Sequence, residues 1–256
     1  MNFSRKELYE TTKILNQCAQ ARTEDDVLDV INQSHAVVPF ETAVVIAFQQ
    51  CCDDRSVKID IINHSYNSQW LDIYRNRDYI AIDPVMNRAK STNMPFFWSD
   101  VFSSMRSNKD CSIHRRLSDF ISELHRYNLL DGIAGGCQTD SSSDVQIVAL
   151  FSLSRFAEHR YLEFLRLLLP VLRIAVQEAL LSRKHASRRE SLLNTLTTRE
   201  REVLRWACIG KTSWEIGRIL SITERTVKFH LNNTFNKLEV ANRPQAIAKA
   251  VGLGLV

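Results

Sequence analysis

Thr197-Thr198-Arg199-Glu200, Thr212-Ser213-Trp214-Glu215 and Thr223-Glu224-Arg225-Thr226 are three helix starts in succession, and their spacing decides the C-terminal fold. In the first two, a threonine accepts from the amide three residues on while a glutamate reaches back to the threonine's own amide. The first helix runs to about Cys208, and Gly210 then supplies the backbone freedom to stop and turn. A second, short helix has Ile216, Ile219 and Leu220 as its inward face. Thr223 caps a third, whose apolar positions Val227, Leu231, Phe235 and Leu238 recur at helical steps. This is helix-turn-helix spacing, and it points to DNA.

The opposite stripe of the third helix reads Glu224, Lys228 and Asn232, with Arg225 and Thr226 in the first turn. Lysine can donate to guanine, asparagine can pair bidentately with adenine, and glutamate can accept from cytosine, so this stripe is suited to reading bases. Lys211, Thr212, Thr223, Arg225, Lys237 and the amides at the helix starts are placed to meet phosphates, which fixes register without reading sequence. Charge is divided accordingly. From Arg183 onward fourteen Lys and Arg face six Glu, a net +8, so the first 182 residues carry −4 against the whole-chain +4. A basic surface confined to one end suits a nucleic-acid partner.

The 256 residues accommodate a core-forming domain of roughly 180 residues and a small one. Residues 1–182 are expected to form the first, 183–194 a polar linker, and 195–256 the second. No run approaches the roughly 20 apolar residues of a membrane span, and Met1-Asn2-Phe3-Ser4-Arg5-Lys6 lacks a signal-peptide core, so a cytoplasmic protein with no membrane partner is expected. The six cysteines have neither metal-ligand spacing nor the density of a disulfide scaffold, and read as reduced structural thiols; no metal site is expected.

Glu41 to Gln49 is β-rich, with Ala43, Val45 and Ala47 on one face and Val44, Ile46 and Phe48 on the other, as in a sheet covered on both sides. Val57–Asn63, Gly132–Gln138 and Val145–Ser154 read as further strands. Ser4–Gln20, Glu24–Ala36, Ser68–Arg75 and Ile113–Tyr127 read as helices. Ala157 to Leu181 is a helical segment with a broad apolar face, which Pro170 should bend or break. The fold class is α+β: an N-terminal α-β-α sandwich joined to a small all-α four-helix helix-turn-helix domain.

Tyr66, Trp70, Tyr74, Tyr79, Asp83 and Trp98 form a second constellation. The spacing by four puts Tyr66, Trp70 and Tyr74 on one face if the stretch is helical, offering phenol and indole donors beside apolar rings. Apolar walls with a few placed polar groups suit a small amphiphile. A carboxylate at position 83 would need donors there, and a ligand amide could supply one.

Leu196-Thr197-x-Arg199-Glu200-x-Glu202-Val203-Leu204, Gly210-Lys211-Thr212, Glu215-Ile216 and Glu224-Arg225-Thr226-Val227-Lys228-x-His230 resemble the LuxR-type helix-turn-helix of bacterial transcription regulators. That resemblance implies a four-helix domain dimerising through a last helix, here about Asn242 to Gly252 with Pro244 in its first turn. Tyr66-x-x-x-Trp70-x-x-x-Tyr74, Tyr79-x-x-x-Asp83-Pro84, Pro95-Phe96-x-Trp98 and Gly132 resemble the autoinducer-binding domain of LuxR-type quorum sensors. That family's ligands are N-acyl-homoserine lactones. The resemblance implies that Trp70 donates to the lactone carbonyl, Asp83 accepts from the ligand amide, and Tyr66 bonds the acyl carbonyl. Tyr74 and Trp98 would form walls, with Ser152 near the acyl carbonyls. It further implies a homodimer on a double-stranded operator, RNA polymerase as a further partner, no cofactor beyond the ligand, and no enzymatic activity. Gly135-Gly136 and the polar Thr139–Asp144 connection depart from the pattern. Leu150, where a smaller residue would leave space, suggests a short or unusual acyl chain.

A phosphorylation-controlled receiver would need an acidic pair at the end of its first strand, a central phospho-acceptor Asp and a later Lys; Asp25-Asp26 precedes the first clear strand, and Asp53-Asp54 lacks such a supporting arrangement. An enzyme is unsupported: there is no Gly-x-Ser-x-Gly elbow, phosphate loop or paired-His metal motif. The competing reading is a regulator of the same architecture that answers to a non-lactone molecule or works without ligand, as a repressor.

Overall fold

A computed structural model describes residues 3–50, 56–105, 111–129, 131–138, 145–153 and 158–255. The polar connection at 139–144, Cys51, Cys52, the side chain of Cys111, and Ser154 and Ala157 at the ends of two expected elements lie outside the described residues. Two compact units divide the chain, Met1–Leu180 and Leu181–Val256.

In the first unit, helices α1 (Arg5–Gln20) and α2 (Glu24–Ser34) each begin in a reciprocal cap, Ser4 with Glu7 and Thr23 with Asp26. Strands β1 (Phe40–Gln50) and β2 (Val57–Asn63) follow. Next come α3 (Ser68–Asn76), a short turn of 3-10 helix at Tyr79–Ala81, α4 (Pro84–Ser91), β3 (Phe96–Phe97), α5 (Trp98–Met105) and α6 (Cys111–Arg126). Strands β4 (Gly132–Cys137) and β5 (Gln146–Leu153) lead into the long α7 (His159–Thr195). The sheet has the order β2-β1-β5-β4-β3, and every neighbouring pair is antiparallel.

Strand alternation sends side chains to two layers. Ala43, Val45, Ala47, Ile147, Ala149 and Phe151 pack with α1, α2 and α7. Val44, Ile46, Phe48, Val148 and Leu150 pack under the aromatic cluster contributed by α3 to α6. The expected α-β-α sandwich is therefore present, with its second core made largely of rings.

α4, α5 and β3 are absent from the expectations above. Asp83-Pro84 is an N-cap followed by proline at the first helical position. The other difference is at α7, which passes through Pro170 and continues across 183–194, the expected polar linker. Leu165, Leu168 and Leu169 before the proline and Leu172, Ala175 and Val176 after it are all buried. That burial offsets the roughly 3 kcal/mol a mid-helix proline costs. Residues 183–194 contain no glycine or proline and several strong helix formers, so nothing local ends the helix.

Gly136 explains one departure from the family pattern. A Cβ there would stand 1.9 Å from the carbonyl oxygen of Ala89, so α4 rides on β4 at a height that only glycine permits.

In the second unit, α8 (Thr198–Cys208), α9 (Ser213–Leu220), α10 (Glu224–Lys237) and α11 (Arg243–Gly252) form the expected four-helix domain. Val203, Ala207, Ile216, Val227 and Leu231 fill one core, and Leu196, Leu204, Leu238, Ala246 and Ala250 the other. Gly210 sits at φ 95°, a conformation suited to glycine. Ile219, expected inside, is 42% exposed. Gly217 faces inward in its place: a Cβ there would meet the carbonyl of Ile222 at 2.7 Å, so the turn closes directly on the helix backbone.

Gly136→Ala is expected to destabilise the N-terminal unit by about 3 kcal/mol or more, because backbone rather than a pliable side chain blocks the new methyl. Urea unfolding of the full chain checks this; a wild-type midpoint would mean α4 does not sit on β4 at this height.

Candidate functional site

The N-terminal cavity lies between the sheet and α3 to α6, with a volume of about 40 Å³. At roughly 10–15 Å³ per water by this measure, it has room for about three. Tyr66, Trp70, Tyr74, Asp83 and Trp98 all line it, with Val85, Phe102, Phe120, Leu124, Leu129 and Leu150 completing the wall. Five of the six expected ligand-binding residues thus meet around one space. The sixth, Ser152, is 1% exposed and lies one strand alternation beyond Leu150 on the same face of β5.

Tyr66 reaches the cavity differently from the expectation. It precedes α3, whose N-cap is Asn67, and is held by a reciprocal pair of bonds with the Asn63 side chain. Trp70 packs edge-on against Tyr74 at 5.6 Å and lies 5.5 Å from Tyr127. Tyr79 and Phe120 meet at 5.0 Å behind them. Sequence reasoning did not single out Phe120, Leu124 or Leu129, because α6 and its exit are brought in only by tertiary packing.

Asp83 corrects an expectation. It does not await a ligand as an unpaired charge. Oδ1 accepts from the amides of Val85 and Met86 at 2.8 and 3.1 Å, and Oδ2 accepts from the Tyr74 hydroxyl at 2.8 Å. The carboxylate is thus the N-cap of α4 and the anchor of a pocket phenol. Burial pushes its pKa up, against the pull of the Met86 amide, Tyr74 and the Val85 amide. Burial, reinforced by the Asp83 charge, also drives the Tyr74 phenol well above its ordinary value. Burial raises Tyr66 as well, against the pull of the adjacent Thr42 hydroxyl.

The second surface is α10 with the start of α9. Glu224, Arg225, Lys228 and Asn232 are exposed, and Thr226 is half-buried. Lys228 pairs with Glu224 at 2.7 Å, one turn apart and open to solvent. Phe229, missed in the sequence, is 60% exposed among these polar groups; its break in the polar pattern was the available signal. Thr223 accepts from the Thr226 amide at 3.1 Å. Thr212 is occupied by its own cap: its amide donates to Glu215 at 2.7 Å, and its hydroxyl accepts from the Glu215 amide. The donors left for an anion there are the next amides of α9 rather than Thr212 itself. Lys211 lies 3.4 Å from Glu215 in a half-exposed pair.

Lys237 also needs correcting. Its Nζ donates to Glu200 Oε2 at 2.8 Å, and Glu200 is 3% exposed. That oxygen also accepts from the Thr197 amide at 2.8 Å, so the capping box of α8 is tied to the end of α10. A lysine committed to a buried carboxylate is poorly placed to meet phosphate. Arg243, from the start of α11, donates to the backbone carbonyls of Ala207 and Lys211 and fixes the turn that presents Lys211.

Residues 194–250 match the family model described as bacterial regulatory proteins, luxR family, and residues 23–180 match the autoinducer binding domain. The chain is 36% identical over 205 residues to the quorum sensing-dependent transcriptional regulator RpaR of Rhodopseudomonas palustris, covering 73% of this chain and 71% of that one. It is 28% identical to the transcriptional activator LuxR of Aliivibrio fischeri, over 96% and 94% of the two chains. Among solved structures, Escherichia coli SdiA superposes with a TM-score of 0.51 at 20% identity, over 97% of this chain and 98% of that one.

The Glu200 carboxyl is held below its ordinary value: burial raises it, but the Lys237 ammonium and Thr197 overcome that. A depressed acid stabilises the fold above its unfolded pKa and loses that contribution as pH falls through the folded one. The stability gap between wild type and Glu200→Gln in the C-terminal unit is therefore expected to be full above about pH 5 and to close as pH drops below 4. Chemical unfolding across that range checks it; a gap independent of pH would contradict the ion pair.

Proposed function

We propose, for a chain that belongs to the LuxR family of bacterial regulatory proteins and carries an autoinducer-binding domain ahead of its DNA-binding one, that the ligand is an N-acyl-homoserine lactone held around Asp83. The observation that carries this reading is the state of that carboxylate. Three donors fix it in place, yet a carboxylate offers about four acceptor sites, so one on Oδ2 remains for a ligand amide N–H. Trp70 would donate to the lactone carbonyl and Tyr66 to the acyl carbonyl. Tyr74 orients the acid and, with Trp98, walls the site. Ser152 adds a hydroxyl on the sheet side. Leu124, Leu129 and Leu150 line the apolar side of a cavity of only about 40 Å³, which favours a short acyl tail.

A ligand that binds only the folded state stabilises it by mass action. The ordered domain then supports a homodimer whose two α10 helices read half-sites about one helical turn apart. Lys228, Asn232 and Glu224 would read base edges, with Phe229 available to a thymine methyl. Lys211, Arg225 and the amides at the starts of α9 and α10 would hold phosphates. The protein would act in the cytoplasm, without enzymatic activity, and meet RNA polymerase at its target promoters.

Melting temperature of the full chain against acyl-homoserine lactones of graded tail length tests the ligand. A tail-selective rise, strongly reduced in Asp83→Asn, is expected; a flat response from folded protein overturns the lactone reading. On DNA, Lys228→Ala is expected to relax base preference. Lys211→Ala should weaken all sequences alike and lower the salt slope by about one. Loss of neither affinity nor preference in Lys228→Ala would remove α10 from the groove.

A further inference from the structure

Helix α11 carries two half-buried cations, and both end on backbone carbonyls. Lys249 Nζ donates at 2.6 Å to the carbonyl of Leu238, the residue that closes α10. Arg243 spans a turn instead: its Nη2 donates to the carbonyl of Ala207, in the last turn of α8, and to that of Lys211, four residues on. Backbone bonds already close this turn. Gly210, at φ 95°, donates its amide to the Ala207 carbonyl, and the Lys211 amide donates to that of Trp206, both at 3.1 Å.

The Lys211 carbonyl lies outside that set of bonds, and it shares one rigid peptide plane with the Thr212 amide. The same amide donates to Glu215 Oε2 at 2.7 Å and opens α9. Arg243 therefore holds the plane from which both the Lys211 side chain and the first amides of α9 take their direction. A guanidinium suits this task, because its donors lie in one plane at fixed angles and a cation on the last carbonyls of a helix complements the helix dipole.

We propose that Arg243 is a positioning residue for binding of the DNA backbone: by holding the turn between α8 and α9 it sets Lys211 and the start of α9 against a phosphate, so that α11 governs the grip on DNA without touching it. This rests on the reading of Lys211 and the α9 amides as phosphate contacts. Arg243 acts through Lys211, and its contribution therefore exists only while Lys211 is present.

Non-specific binding isolates phosphate contacts, so the test is fluorescence anisotropy of a short labelled duplex of mixed sequence, titrated with the full chain at several salt concentrations. Arg243→Ala is expected to weaken binding about fivefold at low salt and to lower the salt slope by about one per DNA-binding domain. In a Lys211→Ala background the slope change should vanish and the further loss of affinity should fall below about twofold. A smaller folded fraction weakens binding equally at every salt concentration and leaves the slope alone, so the slope separates positioning from stability. Lys249→Ala, which loosens α11 at its other anchor, should keep the wild-type slope. If Arg243→Ala does not fold, Arg243→Gln carries the same comparison. A wild-type slope in the Arg243 variant, or a slope lowered equally by Lys249→Ala, overturns the proposal. So does a loss that adds in full to that of Lys211→Ala, which would make Arg243 a phosphate contact in its own right. A slope unchanged in Lys211→Ala alone overturns the reading beneath it.

Discussion

A buried carboxylate must be solvated by something, and Asp83 is solvated by the fold itself. Its partners come from two directions: the first amides of α4, which it caps, and the phenol of Tyr74 on α3. The cap fixes where α4 begins, and Gly136 fixes how low α4 sits on the sheet. Together they set the position of the acid relative to Trp98 and Trp70. Thus the residue with the most evident ligand chemistry is also a structural keystone.

That double role changes the energetic argument for ligand coupling. An orphaned Asp83 would make the ligand indispensable to folding, since an unpaired buried charge is very costly. With three donors in place the charge is tolerated, yet burial still raises its pKa. A raised acid gives the folded state its greatest advantage below the unfolded pKa, and that advantage declines as pH rises through the folded value. Near neutrality the carboxylate is therefore under-solvated rather than unsolvated. On the proposed reading, one further N–H from a ligand would relieve part of that deficit.

Local rules explain what was legible in the sequence. Thr197-Glu200 and Thr212-Glu215 are capping boxes whose partners lie three residues apart, and both begin helices. Strand alternation in β1 likewise needs only neighbours. The failures involve partners far off in sequence or motifs with two meanings. Lys237 finds Glu200 across 37 positions. Ile219 yields the inward face to Gly217 because the turn at Ile222 approaches the helix. Asp83-Pro84 carried a pocket signal that hid an equally good helix start. Tyr66, Trp70 and Tyr74 converge as expected, but by a turn feeding a helix rather than along one face.

The DNA-binding face shows how burial sorts cations that look alike in sequence. Lys228 and Lys237 each hold a glutamate at 2.7 to 2.8 Å. The Lys228–Glu224 pair is exposed, and such pairs contribute about 0–1 kcal/mol, so Lys228 can leave its partner at little cost. Glu200 is buried, and withdrawing Lys237 would leave its charge short of a donor. The same ion-pair distance therefore means availability in one case and commitment in the other. What separates the available lysine from the committed one is the solvent around the carboxylate, a property set when α8 and α10 pack together.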